Sequence, residues 1–231
     1  MNYSKLALIA VMASTVAIAG CETTPALEPT IQTGPSAEVT VDGLNRVDNS
    51  KMALAYVKPD VDLGSYTKIM LDPVSIAYKK EPRGTGRMRT SHHESNFSLT
   101  AKQTENMKSL FQEAAVSALS GDNGYQIVSD PGPDVLRVRC ALIDLIVTVP
   151  TQEPAGRSRT FAESYGAVTL VVELRDSETG EIFARVADRK EPGSNIGMVE
   201  VSRVTVTSDL RRLFKFWSGY LREGVDKVRS I

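Results

Sequence analysis

Val168, Leu170, Val172 and Leu174 occupy every second position of one short run, and Ile182, Ala184 and Val186 resume the same alternation after Asp176-Ser177-Glu178-Thr179-Gly180-Glu181. A period of two places alternate side chains on one face of a strand, and an Asp, Ser and Gly-containing break between two such runs turns the chain back on itself. This stretch is therefore expected to be a β-hairpin. Upstream, Leu136, Val138, Cys140 and Leu142 alternate with Arg137 and Arg139, which predicts a further strand with one packed and one wet face.

The rest of the body supplies partners for these strands. Leu54 to Val57 is a short apolar stretch ended by Lys58-Pro59, and Tyr66 to Tyr78 reads as a strand interrupted at Pro73. Thr100 is expected to open a helix in which Met107, Leu110, Phe111, Ala114, Ala118 and Leu119 form one apolar stripe, with Gly121 and Gly124 as the stop. Tyr125 to Val128 is a short strand ended by Asp130-Pro131-Gly132-Pro133. In the closing helix Leu210, Leu213, Phe214, Trp217, Leu221, Val225 and Val228 line one face, opposite Arg211, Arg212, Lys215, Arg222 and Lys227. Phe214 and Trp217 belong to that stripe and are expected in the core. The order predicts an α+β fold, a mixed or mainly antiparallel sheet with two main helices packed on one face. No internal repeat of twenty to fifty residues is present.

The N-terminus has a different composition. Lys5 precedes an apolar run from Leu6 to Ile18, followed by Ala19, Gly20 and Cys21, which is the layout of a secretory signal. The run is shorter than the roughly 20 apolar residues that a bilayer span needs. Ile18-Ala19-Gly20-Cys21 resembles the bacterial lipobox, in which the cysteine is acylated and becomes the first residue of the mature chain. Glu22 rather than Asp follows, which points to the outer membrane. Residues 1–20 are thus expected to be a signal peptide and 21–43, rich in Thr, Pro, Glu and Ala, a lipidated flexible tether with a reach of roughly 25 Å. Residues 44–231 are expected to form a single domain on the periplasmic side.

Net charge is −1 at pH 7, so no global field favours nucleic acid. The body keeps one cysteine, Cys140, whose strand position predicts a small buried side chain without a disulfide partner. His92 and His93 are adjacent, so they do not readily share one metal, and Glu94 alone does not complete a site. Gly34-Pro35-Ser36 and Gly193-Ser194-Asn195 lack the context of a nucleophile elbow, and Gly84-Thr85-Gly86 lacks the lysine of a phosphate cradle. No enzymatic activity, metal or cofactor is expected. Two loops carry concentrated positive charge, Arg83, Arg87 and Arg89 in one and Arg157 and Arg159 in the other, and these are the candidate partner-binding residues.

Tyr56-Val57-Lys58-Pro59 followed by Tyr66-Thr67-Lys68-Ile69-Met70-Leu71-Asp72-Pro73-Val74 resembles the opening of a family of bacterial lipoproteins known only as domain of unknown function 3313. The resemblance implies an envelope lipoprotein and brings no catalytic residues with it. The expectation is a lipid-anchored protein whose domain binds an envelope protein or polymer without catalysis. A hydrolase acting on cell-wall or lipid material and a carrier of an apolar ligand are the alternatives, the last of which requires an apolar cavity under the sheet.

Overall fold

The computed structural model describes residues 27–78, 99–147, 160–162, 166–192 and 199–229. Its elements are β1 (Thr30–Ile31), β2 (Asn45–Asp48), β3 (Leu54–Val57), β4 (Lys68–Leu71), β5 (Ser75–Tyr78), α1 (Ala101–Ser120), β6 (Gln126–Ile127), β7 (Val135–Val147), β8 (Thr160–Ala162), β9 (Gly166–Asp176), β10 (Ile182–Lys190), β11 (Val199–Val201) and α2 (Arg203–Arg229). Nine strands form one sheet in the order β1-β2-β3-β10-β9-β7-β4-β6, with β5 also paired to β7, while β8 and β11 pair separately. The sheet is antiparallel except where β4 meets β6 and where β4 and β5 meet β7. This is the expected α+β architecture.

Local chemistry explains the main elements. α1 starts with a capping box in which Thr100 Oγ1 accepts from the Gln103 N–H and Gln103 Oε1 accepts from the Thr100 N–H. Its buried positions are Met107, Phe111, Ala115 and Leu119, each four residues from the last, so they stack on one side. Phe111 meets Phe214 of α2 edge-on with centroids 5.4 Å apart, and Phe214 stacks on Trp217. β4 and β5 are two halves of one strand: Lys68–Leu71 pairs with Val135–Val138, and Ser75 onward with Ala141 onward. Pro73, which has no N–H to donate, lies in the gap between them.

Three features of the structure are not contained in the sequence pattern. Thr30–Ile31, within the segment expected to be a tether, pairs with Val47 and Asp48, and the Gln32 N–H donates to the Arg46 carbonyl. Two residues are too few to show a period. In β10 the register shifts between Ile182 and Ala184, so Phe183 and Ala184 are both buried, and the strict alternation expected from Ile182 is broken by a bulge. At the start of β9, Gly166 has φ of 137°, and a Cβ there would lie 1.9 Å from the Ile146 carbonyl oxygen, so only glycine fits. Among the described residues no helix is long and apolar enough to cross a membrane.

Candidate functional site: an apolar cleft beside the closing helix

Eight strands spaced about 4.8 Å apart make a sheet roughly 34 Å wide, whereas two helices packed about 10 Å apart cover roughly 20 Å of it. Part of the apolar face must therefore be closed by something other than a helix. α1 lies towards β5 and β6, and α2 is fixed over β10, where Trp217 Nε1 donates to Asp188 Oδ2 at 2.8 Å. Asp188 is 3% exposed, and Lys190 Nζ lies 3.1 Å from the same oxygen. On the β3 side α2 does not close fully on the sheet, and a cleft of about 200 Å³ opens between the two.

Its floor follows from strand register. Val57 pairs with Ala184 and Ala184 with Leu174, giving one row across β3, β10 and β9. Ala55, Val186 and Val172 give the next row. The roof is the inward stripe of α2, Trp217, Leu221 and Val225, with Gly224 beside them. Met52, Pro29 and Ile31 form the side wall. Ala55, Ala184 and Gly224 leave space that larger side chains would fill, which is why the layers do not close.

Charge is confined to the mouth. Lys51 Nζ lies 2.6 Å from Glu223 Oε2, with both side chains about half exposed, and sits 4.9 Å from the Tyr220 ring centroid. Hydrogen bonding to Glu223 raises the Lys51 ammonium above its ordinary value. Lys227 Nζ lies 3.0 Å from Glu28 Oε2, tying the N-terminal segment to the helix.

On the opposite face of the sheet, Asp72 accepts from Arg137 Nε at 3.0 Å, and Arg139 Nε lies 3.5 Å from it. Glu173 pairs with Arg175 and Arg185, and Arg185 also reaches Asp42 at 2.8 Å. This is the wet face that Arg137 and Arg139 announce in sequence, organised into shared ion pairs.

Cys21, Arg83, Arg87, Arg89, His92, His93, Arg157 and Arg159 lie outside the described residues. Trp217 is fully buried, as its stripe predicts, and also lines the cleft. No motif or period in the sequence locates the cleft. Its one signal is the placing of Ala55 and Ala184 among larger apolar neighbours on strands that pair with each other. Among the described residues no group of three or more His, Cys, Asp or Glu is arranged to hold a metal ion.

A sequence-family model described as "Protein of unknown function (DUF3313)" matches residues 38–221. No curated protein sequence matches. Among solved structures, similarity extends to a PelC dodecamer from Paraburkholderia phytofirmans, 13% identical over 73% of this chain and 94% of that one, with a TM-score of 0.35. A DUF330 protein from Xanthomonas campestris is 13% identical over 81% and 90%, with a TM-score of 0.33. A DUF4136 protein from Bacteroides thetaiotaomicron is 12% identical over 72% and 95%, with a TM-score of 0.34.

Proposed function

The chain belongs to the DUF3313 family of proteins of unknown function, and for this member we propose a lipid-anchored, non-catalytic binding protein of the cell envelope whose ligand is an apolar chain held in the cleft. The observation that carries the reading is the cleft: an apolar floor and roof, with titratable groups only at its mouth. Such an interior offers burial, and the polar side chains of its lining, Ser50, Lys51, Glu223 and Lys227, come from the β2–β3 connection and the exposed edge of α2 and not from the floor strands, which favours binding over turnover. A cavity of about 150 Å³ lined by aliphatic and aromatic side chains holds benzene, so this one has room for a ring-sized group or a comparable length of alkyl chain. At roughly 0.8 kcal/mol per buried CH₂, six to eight methylenes correspond to a Kd on the order of 100 µM before any head group contributes.

The anchor part of the reading, a domain at the periplasmic face of the outer membrane, is supported by the resemblance of Ile18-Ala19-Gly20-Cys21 to a lipobox and by Glu22 after it. Binding of a protein or polymer through Arg83, Arg87, Arg89, Arg157 and Arg159 is a separate role, supported by the composition of those loops alone.

Native mass spectrometry of protein isolated from the envelope tests the proposal. One equivalent of an alkyl-chain molecule is expected on the wild type and not on Ala184→Leu or Ala55→Leu, each of which fills the floor. A wild type without such a molecule, and unable to acquire one from added fatty acid, overturns the cleft reading. Cys21→Ala is expected to release the protein from membranes and remove its acyl mass, and retention of both overturns the anchor.

A further inference from the structure

We propose that the cleft takes a stretch of about six to eight methylenes from the acyl chain of a zwitterionic membrane lipid, with the lipid head group lying over the two ion pairs at the mouth. This rests on the cleft reading and adds the class of molecule that enters.

Charge complementarity at the mouth carries the argument. Two cations and two carboxylates stand there in pairs, each joining α2 to a different segment: Glu223 to Lys51 of the β2–β3 connection, and Lys227 to Glu28 before β1. A head group with a phosphate and an ammonium a few ångströms apart matches that pattern with the signs exchanged. The phosphate faces a lysine and the ammonium the neighbouring carboxylate. A ligand with a single anionic head leaves a carboxylate facing it, and one with a single cationic head leaves a lysine. Tyr220 adds a second feature of the same kind. The residue lines the cleft and its ring holds the Lys51 ammonium 4.9 Å from the centroid, which keeps that lysine at the mouth where a head-group phosphate meets it. Phe216 buttresses it edge-on at 4.4 Å.

Chain length supplies the source of the lipid. The segment from Glu28 to Ile31 is tied down by the Lys227 ion pair and by β1, and Pro29 is part of the cleft wall. Cys21 precedes Pro29 by eight residues. Eight residues extend at most about 29 Å and as a flexible chain average roughly 15 Å. An acyl group on Cys21 would therefore hold the mouth roughly 15 Å from the bilayer surface on average, closer than the roughly 25 Å of a free tether of twenty residues.

The experiment uses the mature chain from residue 21 with Cys21→Ala and three twelve-carbon probes below their micelle thresholds: dodecylphosphocholine, dodecanoate and dodecyltrimethylammonium. Trp217, the single tryptophan of the sequence, lines the cleft and reports binding through its emission. Dodecylphosphocholine is expected to bind at least ten-fold more tightly than either singly charged probe. In Lys51→Gln/Glu223→Gln, which alters two exposed side chains and is expected to keep the wild-type urea midpoint, that preference is expected to fall below about three-fold while binding persists. Equal binding of the three probes to the wild type, or a preference for one singly charged probe, overturns the head-group assignment and leaves the cleft reading standing. No Trp217 response to any probe, or a response undiminished in both Ala184→Leu and Ala55→Leu, overturns the cleft reading and this inference together.

Discussion

Trp217 Nε1 donates to Asp188 Oδ2 at 2.8 Å, and this bond between the middle of α2 and the end of β10 sets how the helix lies over the sheet. The indole is fully buried, so Asp188 fixes both the packing of the core and the position of the ring that roofs the cleft. Asp188→Ala leaves a buried N–H without an acceptor and Lys190 without its carboxylate. It is expected to lower stability by about 1–3 kcal/mol in urea denaturation followed by Trp217 emission. Asp188→Asn, which keeps an acceptor oxygen, is expected to cost less, and equal losses in the two variants would contradict this role.

Two carboxylates make the fold sensitive to acid. Burial raises the Glu173 carboxyl, but hydrogen bonds from Arg175 and Arg185 outweigh it and hold the group below its usual range. Burial likewise raises Asp176, and the Thr179 backbone N–H and the Tyr66 hydroxyl, 2.7 Å away, more than reverse it. A group whose pKa is depressed by folding contributes its stability above the unfolded value, about 3.9 for Asp and 4.3 for Glu, and loses it as pH falls through the folded value. The urea midpoint is expected to stay level from pH 8 to 6 and to fall below about pH 4. Glu173→Gln is expected to flatten that fall, and an unchanged profile in the variant would remove Glu173 from the account.

Gly166 adopts a backbone conformation that a side chain would drive into the Ile146 carbonyl. Gly166→Ala is expected to destabilise by at least about 1–3 kcal/mol, the usual cost of a strained backbone with a steric clash added to it. Thermal unfolding checks this, and a Tm equal to that of the wild type would contradict the geometry of the β7–β9 junction.

Burial, with a smaller contribution from the Asp72 charge, pushes the Cys140 thiol up to about 12. Only the thiolate reacts with disulfide reagents at appreciable rate. In Cys21→Ala, where Cys140 is the remaining cysteine, a disulfide-exchange reagent at pH 8 is expected to label nothing in the native state and one thiol in urea. Stoichiometric labelling of native protein within seconds would show that β7 is not packed as described.

Much of this architecture is legible in the amino-acid order, because period and caps are local. The alternation over 136–142 and 168–174, the turn at 176–181, the Thr100 cap and the break at Pro73 all appear in the structure where the sequence puts them. Features that depend on distant partners are not local and left no period to read. Thr30–Ile31 becomes a strand only because Val47 and Asp48 lie beside it. The bulge at Phe183 brings two adjacent side chains into the core. The cleft is less visible still. Ala55 and Ala184 read as ordinary strand residues until the sheet is seen to be wider than its two helices. The arginines named from loop composition, Arg83, Arg87, Arg89, Arg157 and Arg159, lie outside the described residues, so the site argued from geometry and the site argued from charge involve different parts of the chain.

The measurement that tests the central claim most directly is energy transfer from Trp217 to a fluorescent fatty acid, titrated against the wild type and Ala184→Leu. Saturable transfer at a stoichiometry of one, weakened at least ten-fold in the variant, is the predicted result. Transfer that does not saturate, or that is the same in both proteins, would contradict a ligand-binding cleft between the sheet and the closing helix.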